Sequence, residues 1–211
     1  MVAQRVRRSW LDQFTLRQDV DNPFVQVITS AGIIATVACD RGGLSRSQYD
    51  AAVEAERQAR LVEDLGRWLD DDVTAHARRC DEAISDRDLD PETRARALAG
   101  GLTGAVRAHA TLLDSCQTLL GLADALLMIS RPASRLRLMS AVETVRTAAS
   151  TAHLTVLVNL PRITDVTLYD RLVTRVESFD TTLAEATRVA AALRSEVAVR
   201  QLFPSPRVPG N

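Results

Sequence analysis

The stretch Pro132–Asp165, PASRLRLMSAVETVRTAASTAHLTVLVNLPRITD, limits the fold more than any other in the chain. Leu138, Val142, Val145, Ala149, Ala152, Val156 and Leu160 recur at alternating steps of four and three, which is one apolar face of a helix. Pro132 suits a first turn, where its missing N–H costs nothing. Pro161 disfavours helix at Leu160 and closes the run. Asp165 stands where it can cap a following helix. The pattern predicts a buried helix, a tight turn and a second helix.

The same spacing recurs elsewhere. Pro23 to Cys39 is small and apolar and reads as a central helix, broken by Asp40-Arg41-Gly42-Gly43. Ser45 or Ser47 can cap a long helix ending near Ser85, with a bend at Gly66. Val62, Leu65, Leu69, Asp72, His76, Cys80 and Ala83 form its stripe, so of Asp70, Asp71 and Asp72 only Asp72 is expected to face inward, one turn from His76. Pro91 opens a helix to about Ile129, with a stripe through Leu102, Ala105, His109, Leu112, Cys116 and Leu120 and a kink at Gly100-Gly101 or Gly104. Leu172, Val176, Phe179, Leu183, Ala186, Ala190, Leu193 and Val197 predict one helix from Val166 to about Gln201. Trp10 to Leu16 reads as a short amphipathic helix. No segment alternates with period two. The expectation is an all-α protein, a single bundle of long antiparallel helices over residues 1–203, with a disordered Pro-rich tail at 204–211.

Composition narrows the function. The chain has 211 residues, 46% of them hydrophobic and only 4% aromatic, which favours close-packed helices and supplies a core. The formal net charge of −1 implies neither nucleic acid nor an acidic membrane surface as a partner. Every basic side chain is Arg, so a lysine Schiff base is excluded. Cys39, Cys80 and Cys116 are odd in number and widely spaced, as reduced thiols of a cytoplasmic protein would be. The basic N-terminus lacks an immediate apolar run, so no signal peptide is expected, and Val25–Cys39 is too short to span a membrane.

Asp72 on an apolar stripe is the sharpest chemical feature. A desolvated carboxylate either pairs with a structural Arg or holds a proton for acid–base work. His76 lies one turn on and can share that proton. His109 and His153 are further candidates, although a lone His on an apolar face is commonly structural. Asn159 reads equally as a ligand contact or a helix C-cap. Tyr49 can donate a hydrogen bond or simply pack. The cluster Arg131, Arg135 and Arg137 can hold an anion or start a solvated helix. No spacing points to a metal, and no phosphate loop, dinucleotide fingerprint or nucleophile elbow is present.

Asn159, Leu160, Pro161, Ile163 and Asp165 resemble the A-x-L-N-V-x-I-N-L-P-x-I-x-D segment of the formimidoyltetrahydrofolate cyclodeaminase/methenyltetrahydrofolate cyclohydrolase family. Leu11-Asp12-Gln13-Phe14 is similar to that family's opening helix. Gly43, Arg46 and Tyr49 resemble its G-K-x-x-Y turn, and Asp70 to His76 its D-x-D-A-x-A-F run, with His76 where Phe is usual. The resemblance implies a helical domain, commonly a homodimer, that opens or closes the one-carbon bridge of tetrahydrofolate near the subunit interface. Two parts of the pattern are absent: the P-G-G-G-S loop, replaced by Pro23 to Ser30, and a Ser-Asp pair, where Leu138-Met139-Ser140 stands.

The sequence is therefore expected to encode a divergent enzyme of this type. Asp72 and His76 would be its acid–base pair, acting through an imine or iminium on a nitrogen-containing ring. His109, Asn159, Tyr49, Arg135 and His153 would contact a small-molecule substrate, with no cofactor required. A tetrahydrofolate derivative as substrate, and a non-catalytic helical dimer serving as a binding subunit, are the alternatives.

Overall fold

The computed structural model describes residues 22–202, with side chains described to residue 195. The helix expected at Trp10–Leu16, the match at Leu11 to Phe14, the stripe residue Val197 and the tail 204–211 lie outside these limits. Six α-helices follow in order: α1 (Pro23–Ala38), α2 (Arg46–Ser85), α3 (Pro91–Leu127), α4 (Pro132–Asn159), α5 (Val166–Glu177) and α6 (Phe179–Leu202), with a 3₁₀ turn at Leu160–Arg162. There is no strand among the described residues.

Local chemistry accounts for the starts. The Asn22 side chain accepts from Phe24 N–H at 2.9 Å. Ser45 and Gln48 form a reciprocal capping box. Asp90 accepts from Thr93 N–H at 2.9 Å, and Asp165 from Leu168 N–H at 3.0 Å. Each cap satisfies an N–H that the first helical turn leaves without an intrahelical acceptor. Pro23, Pro91 and Pro132 occupy first turns.

The stripes then close into a bundle. α1 packs between α2 and α4, α3 closes the other side, and α6 lies on α4 and α3. The main core joins Phe24, Ile34, Leu69, Leu112, Leu120, Leu138 and Val145, all nearly or wholly buried. A second, smaller core at one end collects Leu102, Val106, Val156, Leu160, Ile163 and Leu172.

Three expectations are corrected. The last long helix is two, α5 and α6, interrupted at Ser178. Ser178 keeps right-handed helical dihedrals, but its hydroxyl donates to the Arg175 carbonyl at 2.9 Å, competing with the backbone ladder. Leu172 of α5 serves the small core while Phe179 of α6 serves the main one.

α2 runs unbroken through Gly66, and α3 through Gly100, Gly101 and Gly104. Gly66 admits Ile28 of α1, whose Cγ1 would lie 2.8 Å from an added Cβ. Asp70 is not turned away from the bundle: its carboxylate accepts from Asn22 Nδ2 at 3.0 Å and so steadies the start of α1. Met139, half-buried beside Leu138, packs against the main core. Leu65, expected on the inward stripe, is exposed.

Candidate active site

α2 and α3 meet through glycines. A Cβ on Gly101 would overlap Cys80 Sγ, and a Cβ on Gly104 would overlap the His76 ring. Later residues of α2 thus meet earlier residues of α3, an antiparallel register in which the imidazole lies against bare α3 backbone. That contact holds His76 by shape, without a polar partner on α3.

Asp72 lies one turn back along α2, with its Oδ2 3.5 Å from His76 Nε2. The opposite ring nitrogen, Nδ1, is 2.8 Å from Arg79 Nη2. A guanidinium only donates, so Nδ1 accepts and the proton of the neutral ring sits on Nε2, facing the carboxylate. The separation is longer than a full hydrogen bond, as catalytic contacts often are before a ligand closes on them.

Asp72 differs from expectation in its burial. Its side chain is 34% exposed and that of His76 21%, so the pair lies at the rim of the bundle. On α2 the buried line passes from Leu69 to Cys80 without a fully buried residue between them. A rim position costs a carboxylate little and leaves the pair open to a ligand.

The other sequence-derived candidates lie apart from this pair. His109 is 4% exposed in the main core, edge-on to Phe24 with ring centroids 4.9 Å apart. Its Nδ1 lies 2.8 Å from the Ala105 carbonyl, to which it donates. Its Nε2 is buried with no partner. His153 stacks on Phe179 with centroids 3.9 Å apart, an α4–α6 contact. Asn159 is buried at the end of α4, its amide donating to the Thr155 carbonyl at 2.8 Å while Oδ1 has no partner. Tyr49 is exposed under the Arg41 guanidinium, 5.2 Å from its ring centroid. Arg135 is half-buried near the start of α4. No cluster of three metal-ligating side chains occurs among the described residues.

The buried histidine carries a pH consequence. Burial pushes His109 below its ordinary 6.5, and the bond to the Ala105 carbonyl only partly opposes this. Below pH 6.5 the unfolded chain therefore binds a proton that the folded chain resists. Stability is full above that value and falls as pH drops, by up to about 1.4 kcal/mol per unit. His153 shifts the same way through burial, with Asp180 opposing. Urea unfolding at pH 7.5 and 5.5 should show the wild type losing more stability than His109→Gln, and equal losses would contradict the assignment.

Two structural contributors to the site escaped the sequence reading, Gly101 and Gly104, which read as kink positions. The three-residue glycine spacing on one face of α3 was the available signal.

The class is thus an all-helical bundle with a rim carboxylate–imidazole pair. The formiminotransferase-cyclodeaminase family model matches residues 37–178, more than half of the chain. The chain belongs to that family. It is similar to the crystal structure of formiminotetrahydrofolate cyclodeaminase from Thermotoga maritima, with a TM-score of 0.62 and 14% identity over 83% of this chain and 86% of that one. At that identity the likeness concerns the fold. No curated protein matches the sequence. No helix among the described residues is long and apolar enough to cross a membrane.

Proposed function

We propose that the protein is a divergent cyclodeaminase-like enzyme that opens or closes a nitrogen-containing ring of a small molecule through an imine or iminium. The observation that carries the reading is the Asp72–His76 pair, held against Gly104 and still open to solvent. In ring closure, a substrate N–H adds to an iminium carbon while Asp72 accepts its proton and the C=N π pair passes to the iminium nitrogen. The imidazolium form of His76 protonates that nitrogen from Nε2, and it leaves as an amine while the ring nitrogen's lone pair forms the new C=N bond. The Asp72 carboxyl then returns its proton to the neutral imidazole across their contact. Ring opening by water runs through the same two groups, with water as the nucleophile. A positioned acid–base group typically contributes about 10²–10⁴-fold.

The substrate is proposed to differ from tetrahydrofolate, because the Gly-rich loop and the Ser-Asp pair of the resembled pattern are missing. Titration calorimetry with methenyltetrahydrofolate should give no binding in the micromolar range. Micromolar or tighter binding would overturn the substrate assignment and favour the folate enzyme.

The acting form is proposed to be a homodimer. Leu61, Leu65 and Trp68 are exposed on α2, and their spacing continues to Asp72. Trp68 is 61% exposed, unusual for an indole on a monomer surface. A partner copy on this face would border the pair. Sedimentation of a monomer at micromolar concentration would contradict this.

A further inference from the structure

We infer that a cleft between α3 and α5 binds a small organic oxyanion, a carboxylate or phosphate carried on an apolar body. The cleft has a volume of about 480 Å³, within the range of ligand sites. Arg107 enters from α3, and Arg171 and Arg175 from α5. Ala110, Leu168 and Leu172 supply an apolar surface between them.

The charges do not balance. Arg175 pairs with Asp114 at 2.6 Å. Arg107 reaches Asp165 only at 3.9 Å, and that carboxylate already caps α5 through its other oxygen. Arg171 has no carboxylate partner among the described residues. Thr111 and Thr174, also in the wall, spend their hydroxyl protons on the Arg107 and Asp170 carbonyls, both at 3.1 Å. The guanidinium groups are therefore the cleft's available donors. Their planar forks suit a two-oxygen acceptor. Cations from two helices with an apolar surface between them favour a ligand with a charged end and a hydrophobic body over a bare ion.

The site stands whether or not Asp72 and His76 are catalytic. Arg107 lies one turn along α3 from Gly104, on which His76 rests.

The test is calorimetric titration of the full chain with phthalate, phenyl phosphate, inorganic phosphate and neutral phthalamide. Phthalate, phenyl phosphate or both should bind at roughly millimolar Kd or tighter. Phthalamide should not bind, and inorganic phosphate should bind more weakly than its phenyl ester. Whichever of the two organic probes binds tighter identifies the preferred headgroup. Arg107→Gln and Arg171→Gln should each weaken binding about tenfold or more. Arg171 makes no structural pair, so its variant should keep the wild-type Tm and decides the matter if the Arg107 variant misfolds. Failure of both organic anions to bind, equal binding by the Arg171 variant, equal binding of phthalamide, or equal binding of inorganic phosphate would overturn the inference.

Discussion

Asp72→Asn is expected to lower turnover by about two to four orders of magnitude, the range lost with a general acid–base group. The substitution keeps the side chain's size and removes both its charge and its capacity to accept a proton. The carboxylate is a third exposed, so its replacement should leave the melting temperature nearly unchanged. His76→Phe removes the Nε2–H that faces Asp72 and restores the residue usual in the resembled pattern, so activity on the natural substrate should fall while the fold persists. A structural role gives the reverse order: unchanged turnover for both variants and a lower melting temperature for Asp72→Asn. Turnover and melting, measured side by side on a substrate found by screening cyclic imines and amidines, separate the two. Unchanged turnover in both variants would move the reading to a non-catalytic helical dimer.

Gly104→Ala should damage stability and site together. In an open helix interior, Gly→Ala gains up to about 1 kcal/mol from propensity. Here the new Cβ would overlap the His76 ring, and its nearest contacts are ring atoms, not a flexible chain end. Forcing an extra carbon into such a contact costs about 1–3 kcal/mol, so the clash outweighs the propensity gain. The imidazole must also rotate away, which separates Nε2 from Asp72. Gly100 has nothing within reach of an added Cβ, so Gly100→Ala is the matched control and should be neutral or stabilising. The double variant Gly104→Ala/His76→Ala frees the space and should recover stability without recovering activity. A Gly104→Ala protein with wild-type melting and turnover would contradict the proposed support of His76.

Much of this arrangement was legible in the residues. The four-and-three spacing from Leu138 to Leu160 and from Leu102 to Leu120 marks faces that are buried in the bundle. Proline and capping side chains placed the helix starts at Pro23, Arg46, Pro91 and Val166. What the pattern concealed came from contacts between helices. Periodicity continues across Ser178 because that residue keeps helical dihedrals, so nothing in the spacing records that two cores are served. Gly101 and Gly104 looked like weak points because a lone helix pays for glycine. Only the approach of Cys80 and His76 gives them a packing role.

The site was legible to the same depth. One-turn spacing put Asp72 beside His76, since that follows from a single helix. A stripe position cannot distinguish rim from core, because that depends on how far the neighbouring helix covers it. Asp72 was therefore expected to be more buried than it is. The arginine cleft draws on α3 and α5, which are distant in sequence, and no local pattern joins Arg107 to Arg171.

The most direct test of the acid–base pair is the pH dependence of kcat/KM for the wild type and His76→Phe on the same substrate. The account predicts a wild-type profile bounded by ionising groups of the free enzyme, with one limb lost in the variant along with part of the rate. Superimposable profiles, with the variant as fast as the wild type across the range, would contradict it.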